Sequence, residues 1–168
     1  MSEVRLVLVG FGNVGKAFAR LLQRKSKLLA SEYGMEWRIT GIATGHHGMA
    51  IDPQGLDVDR AIALVESGMS LDVLNKGETP ADMLGFIQAC PGDILFENSP
   101  VNYDTGQPAI SHLQAALETR QEREKALAQC REALEAATNA LRGLEEQRLR
   151  IEQGLEPLRV RIGDLKLK

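Results

Sequence analysis

The period of the apolar positions changes several times along the first hundred residues. Residues 4–9 form a short, nearly unbroken apolar run, interrupted only by Arg5. Such a run reads as a strand buried in a parallel sheet. Val14, Ala17, Phe18, Leu21 and Leu22 then recur at helical spacing, with Lys16, Arg20, Gln23 and Arg24 on the other face. This predicts a helix from Val14 to about Leu29, ended by Tyr33-Gly34. Residues 36–43 predict a second strand, and strand, glycine turn, helix and strand together make a βαβ unit. Residues 44–56, rich in Gly and His and containing Pro53, read as loop. A short helix is expected at 57–66 with Asp57 as its cap. Another is expected at 80–89, with Thr79 as N-cap, Pro80 in the first turn and Pro91-Gly92 as the stop. Asp93 to Glu97 is the third buried strand. A loop, Asn98 to Gln107, leads to a helix from about Pro108.

Beyond that point the pattern contains no further strand. Leu127, Leu134, Leu141, Leu155 and Ile162 occupy one heptad position, and Cys130, Ala137, Leu144, Ile151, Leu158 and Leu165 the complementary one. Only Arg148 interrupts the seam, which is the pattern of a coiled coil. A helix over 119–168 would be about 75 Å long. Pro157, Gly143, Gly154 and Gly163 weaken it. The resulting fold class is α/β, a truncated Rossmann-like parallel sheet with flanking helices, followed by a long C-terminal helix of coiled-coil character. The expected division is a dinucleotide-binding domain at 1–118 and a helical extension at 119–168. Three strands alone would leave an open edge and an uncovered face.

Composition sharpens this division. All seven aromatic residues lie before residue 104, whereas 20 of the last 50 residues are charged. Residues 1–118 carry a net charge of −5 and residues 119–168 a net charge of +2. Arg and Glu are interspersed along the tail, a solvated helix face rather than a nucleic-acid footprint. Cys90 and Cys130 have neither a disulfide framework nor metal-ligand spacing, which implies a reduced, cytoplasmic setting and no metal. The N-terminus shows no signal-peptide pattern, and no apolar run is long enough to span a bilayer.

The candidate chemistry is concentrated in Gly10-Phe11-Gly12-Asn13-Val14-Gly15, a G-x-G-x-x-G pattern placed between a predicted strand and a predicted helix. Gly10 permits the tight turn, Gly12 lets the backbone approach a pyrophosphate, and Gly15 lets helix and strand pack closely. Free amides at the helix N-terminus would then hold phosphates. The alternative is a tight turn without a ligand. At the end of the second strand, Ala43-Thr44-Gly45-His46-His47 contains no carboxylate to bind a ribose 2′-hydroxyl. Exclusion of a 2′-phosphate is therefore not expected, and Thr44 and His46 could donate hydrogen bonds to one. The cofactor is NADP or NAD. The histidines read equally well as exposed loop residues. Asn98, Ser99 and Pro100 lie beyond the carboxyl end of the third strand, where open parallel sheets bind ligands. There they would border the nicotinamide ribose, or simply form a proline-ordered loop.

These residues resemble homoserine dehydrogenase. The resemblance is carried by residues 7–15, by Ile39-Thr40-Gly41-Ile42-Ala43-Thr44, and by residues 97–109 (Glu97 to Ala109). It spans residues 4 to about 118. It implies reversible hydride transfer between NAD(P)H and aspartate semialdehyde, yielding homoserine, with cofactor contacts at the glycine turn, Thr44 and the Asn98–Asn102 loop. In the family a further strand, an Ala-Asn-Lys-Gly segment and a substrate domain follow. Here none of these follows Glu118, so no catalytic residue is assigned. Asn75-Lys76-Gly77 precedes the third strand and does not take that segment's role. Residues from about Glu122 to Lys168 resemble the coiled-coil arm of bacterial chromosome-segregation ATPases, most of all from Leu144 onward. Two functions follow. The first is the NAD(P)-binding portion of an oxidoreductase without its substrate domain. The second is a structural protein that self-associates through residues 127–165; the alternative for that tail is a lone helix folded back on the α/β head.

Overall fold

The structure is a computed structural model that describes residues 2–166, without the side chains of 160 and 163–166. Leu165, the last predicted seam residue, is therefore outside the described side chains. The chain divides into two compact units, Met1–Arg120 and Gln121–Lys168.

The first unit opens with β1 (Ser2–Val9), α1 (Asn13–Tyr33) and β2 (Met35–Ala43). Gly34 ends α1 as expected: it adopts the left-handed conformation at φ +61° and its N–H donates to the Leu29 carbonyl. β1 and β2 pair in parallel, with a register shift between Leu6 and Val7 that leaves Thr40 as the extra residue. The buried Thr40 hydroxyl donates to the Pro91 carbonyl, tying the bulge to the chain segment before the last strand.

Next comes β3 (Met49–Ile51), which pairs antiparallel with β2. The sequence pattern reads this stretch as loop, because three residues are too few to show an alternating period. Then follow α2 (Val58–Glu66), a single 3₁₀ turn at Leu71–Leu74, α3 (Met83–Ala89) and β4 (Ile94–Glu97). Asp57 caps α2 as expected, accepting from the Arg60 N–H. α3 starts later than the Thr79-Pro80 signal suggests. Asp82 is its cap and accepts from the Gly85 N–H at 2.7 Å, while the Thr79 hydroxyl accepts from the Asn75 amide. The strand order is β3-β2-β1-β4. The sheet thus has three parallel strands and one antiparallel edge strand, where the sequence predicts three strands only.

Alternation along β1 divides the core between the two faces. Leu6 and Leu8 join Phe11, Ala19, Ile39, Ile42, Ile62 and Leu71 on one face. Val7 and Val9 join Phe86, Ile87, Cys90 and Ala115 on the other. The second face is therefore not bare: α3 and the first turns of α4 (Ala109–Lys166) cover it. Each fully buried Leu, Ile or Phe contributes about 1.5–3 kcal/mol.

The second unit is the remainder of α4. Every described side chain from Gln121 to Ile162 is exposed, including the Leu and Ile residues of the predicted seam. The helix continues through Pro157 rather than ending there. No helix among the described residues is long and apolar enough to cross a membrane.

Candidate functional site

The site is built where β1 and β4 end side by side. Val9 pairs with Glu97, and the Asn98 N–H donates to the Val9 carbonyl at 2.7 Å. The chain leaves β1 through Gly10, whose φ is +91°. A Cβ on Gly10 would lie 2.5 Å from the Asn98 carbonyl carbon and 2.6 Å from the Ser99 nitrogen. Only glycine satisfies both the backbone angle and this approach.

Each other residue of the turn has its own environment. Phe11 was expected to border a cofactor, yet its ring is only 1% exposed and belongs to the core, so its side chain serves packing. Gly12 is the N-cap of α1, with no side-chain cap on the first turn and no acidic residue within it. A Cβ added to Gly12 would have no atom within 4 Å, so the turn faces open space. Asn13 and Val14 are exposed beside it. A Cβ on Gly15 would come within 2.6 Å of the Gly10 carbonyl oxygen, so this glycine lets the helix close onto the turn. The result is a helix N-terminus without a side-chain cap, its first-turn amides and positive dipole end adjoining open space at Gly12. A diphosphate fits this chemistry.

At the end of β2 the structure gives Thr44 a different task from phosphate donation. Its hydroxyl donates to the Gly48 carbonyl at 3.0 Å and accepts from the His47 N–H at 2.7 Å. Thr44 therefore holds the β2–β3 turn, and its proton is already committed. His46 is exposed on that turn, and Gly48 adopts φ +68°.

Beyond β4, Pro100 is exposed, whereas Asn98 and Ser99 are partly buried. The Asn98 Nδ2 is buried without a hydrogen-bond partner. Ser99 is held by Glu97, whose Oε1 accepts from the Ser99 N–H at 2.8 Å and from its hydroxyl. The other carboxylate oxygen of Glu97 lies 2.7 Å from Nδ1 of His112, near the start of α4, and both side chains are about nine-tenths buried. Sequence reasoning gave no role to either residue. Fifteen positions separate them and no motif links them. The only available signals were a carboxylate ending a buried strand and a lone histidine on an otherwise amphipathic helix.

A parallel sheet with a glycine turn leading from its central strand into a helix N-terminus places the first unit among the Rossmann-type α/β folds. Within that class, about two thirds of the chain is similar to homoserine dehydrogenase. It is 34% identical over 109 residues to the homoserine dehydrogenase of Methanocaldococcus jannaschii, covering 64% of this chain and 32% of that protein. It is 32% identical over 118 residues to the NAD(+)-dependent homoserine dehydrogenase of Pseudomonas canavaninivorans, covering 70% of this chain and 34% of that protein. The chain thus spans about a third of the length of these relatives. The fold matches a crystal structure of homoserine dehydrogenase from Thermoplasma acidophilum with a TM-score of 0.52 at 22% identity, over 70% of this chain and 33% of that one. It also matches a hyperthermophilic archaeal homoserine dehydrogenase in complex with NADPH, with a TM-score of 0.53 at 23% identity, over 69% and 33% of the two chains. A separate similarity covers 56 residues: 50% identity to the chromosome partition protein Smc of Bordetella petrii, over 33% of this chain and 5% of that protein. No protein-family model matches the chain.

Proposed function

We propose that the first unit binds NADP or NAD as the cofactor-holding portion of a homoserine dehydrogenase-like oxidoreductase. The observation that carries the reading is the empty space at Gly12 on an uncapped helix N-terminus, at the carboxyl end of the central sheet strands. The amides of Asn13, Val14 and Gly15 hold the diphosphate. Gly10 and Gly15 keep the turn tight enough to aim them. Asn98, with its unpartnered amide, Ser99 and Pro100 border the nicotinamide end. His46 is exposed and residues 43–48 contain no carboxylate of their own, which leaves room for a 2′-phosphate; the Asp72 carboxylate reaches this turn but is engaged by the Met49 N–H at 3.0 Å. The relatives support both cofactors, one being an NAD(+)-dependent enzyme and another a complex with NADPH. When bound, the cofactor supplies the hydride that would pass between homoserine and aspartate semialdehyde.

The test is a titration of the purified chain with NADPH and NADH, read by the fluorescence of the reduced nicotinamide. The lone tryptophan is a poor reporter: Trp37 pairs with Val4 near the start of β2, about 20 Å along the strand from the glycine turn. Gly12→Val should weaken binding by at least roughly tenfold while leaving the fold intact, since no atom lies within 4 Å of the new side chain's root. Equal affinity in the variant would remove the phosphate cradle from consideration.

A second reading is favoured by the uncovered seam of the second unit. Eight Leu and Ile side chains at heptad positions between Leu127 and Ile162 are each at least 44% exposed. Burying such a seam against another helix is the usual source of coiled-coil stability, so self-association of the chain through residues 127–165 is the second proposed property.

A further inference from the structure

We infer that Glu97 and His112 form a latch on the loop 98–108, and that this latch sets affinity for the nicotinamide half of the cofactor but not for its ADP-ribose half. His112 is a positioning residue that acts through Glu97. The inference rests on the dinucleotide site proposed above and divides the labour within it.

The loop runs from the end of β4 at Glu97 to the start of α4 at Ala109, and its middle holds itself together. The Asn102 side-chain oxygen accepts from the N–H groups of Asp104 and Thr105 at 2.9 and 3.0 Å. The Asn102 N–H donates to the Gln107 carbonyl, and the Gly106 N–H to the Asn102 carbonyl, both at 2.7 Å. Residues 102–107 are thus a closed turn that moves as one piece. The freedom left to the loop lies at its two ends.

Glu97 holds both ends. At the first, Oε1 accepts from the N–H and the hydroxyl of Ser99. At the second, Oε2 meets Nδ1 of His112, in the first turn of α4, at 2.7 Å. A carboxylate only accepts, so the ring nitrogen that faces it carries a proton. The His112 N–H donates in turn to the Pro108 carbonyl at 3.1 Å, which ties the ring's own backbone to the end of the loop. Both side chains are about nine-tenths buried, so water does not replace a lost partner. Arg20 with Glu66, about half exposed, is under no such constraint.

The latch fixes one wall of the site. The Asn98–Ser99 peptide lies against Gly10, and the Asn98 Nδ2 beside it is buried without a partner. A buried donor of that kind calls for an acceptor. Ribose hydroxyls and the nicotinamide carboxamide both carry one. The diphosphate cradle stands instead on α1 and on the bond from the Asn98 N–H to the Val9 carbonyl, and neither of these needs His112. Breaking the latch therefore separates the two halves of the cofactor.

Calorimetric titration of the full chain tests this with two matched pairs: NADPH with 2′-phospho-ADP-ribose, and NADH with ADP-ribose. His112→Leu fills the space but offers Glu97 no proton. It should weaken the reduced dinucleotide of a pair about tenfold and its ADP-ribose less than about twofold. His112→Asn puts an amide N–H where Nδ1 stood and should recover most of the loss. The fluorescence of bound reduced nicotinamide at saturation should change in His112→Leu and return in His112→Asn. Equal weakening of both ligands of a pair, or of neither, would overturn the latch and reduce Glu97 and His112 to a structural tie. The unaltered chain gives a check that no folding defect can blur. There the reduced dinucleotide should bind at least about fivefold more tightly than the matching ADP-ribose. Equal affinities would overturn the inference and leave the diphosphate cradle standing. Failure of all four ligands to bind would overturn the proposed cofactor function and this inference with it.

Discussion

Three glycines in one turn serve three different physical ends. Gly10 has a positive φ and lies against the Asn98–Ser99 peptide, Gly15 lies against the Gly10 carbonyl, and Gly12 opens on empty space. The first two are requirements of packing; the third leaves room for a ligand. Glu97 is the other residue on which the site's shape depends, since one carboxylate holds both the Ser99 backbone and the His112 ring. Glu97→Ala should leave two buried polar groups unpartnered and lower the free energy of unfolding by about 3 kcal/mol, measured by denaturant titration. It should also weaken dinucleotide binding, because the loop that borders Gly10 loses its anchor. Glu97→Gln keeps an acceptor for Ser99 and should lose less. A stable Glu97→Ala chain with unaltered affinity would make this pair incidental. The position of the glycine turn, and the packing roles of Gly10 and Gly15, were legible in the sequence, because strand, G-x-G-x-x-G and helix follow one another there. The Glu97–His112 pair was not, because nothing in a one-dimensional pattern says that a strand end and a later helix converge.

At the scale of elements, β4 is held to β1 by more than its ladder. Arg5 donates through Nε and Nη2 to the two carboxylate oxygens of Asp93 at 3.1 and 2.8 Å, and its backbone N–H donates to the same group. The Arg5 hydrogen bonds hold the Asp93 carboxyl below the usual carboxylate range, with the Arg5 charge adding to the effect. A lowered folded-state value means stability that is complete above the unfolded-state value and lost as pH falls through the folded one. The window is thus acidic, below about pH 4. Both side chains are about two-fifths exposed, so the pair contributes no more than about 1 kcal/mol. Asp93→Asn should be less stable than the unaltered chain at pH 7 by that amount, with the difference vanishing at low pH. A difference that persisted or grew on acidification would contradict this assignment. Among the elements, the long strands and α1 were readable from their periods, as was the Asp57 cap of α2. β3 and the true start of α3 were not. A three-residue edge strand has no period, and at α3 the Asp82 carboxylate takes the capping place that Thr79-Pro80 suggested, while the Thr79 hydroxyl accepts from Asn75.

For the whole molecule, the chain divides into two compact units, Met1–Arg120 and Gln121–Lys168, and it is similar to homoserine dehydrogenase over about two thirds of its length and to a chromosome partition protein over about one third. Hydride transfer needs cofactor, substrate and a proton-transfer group in one constellation. From Ala109 the described chain is one helix, so the strand and lysine segment implied by the resemblance have no counterpart in it. The 168-residue chain should therefore bind the dinucleotide yet show no homoserine-dependent reduction of NADP above background, followed by absorbance at the nicotinamide band. Sustained turnover would show that this chain assembles a substrate site by other means. Local chemistry determined the glycine turn, the main strands and helices and the heptad seam, since each depends on neighbours within a few residues along the chain. Tertiary packing decided the fourth strand, the covering of the second sheet face, the burial of Phe11, the commitment of Thr44 to its turn and the meeting of Glu97 with His112. Those outcomes depend on which distant segments share the limited space on each side of the sheet, and a polar group's final partner is chosen only once that space is filled.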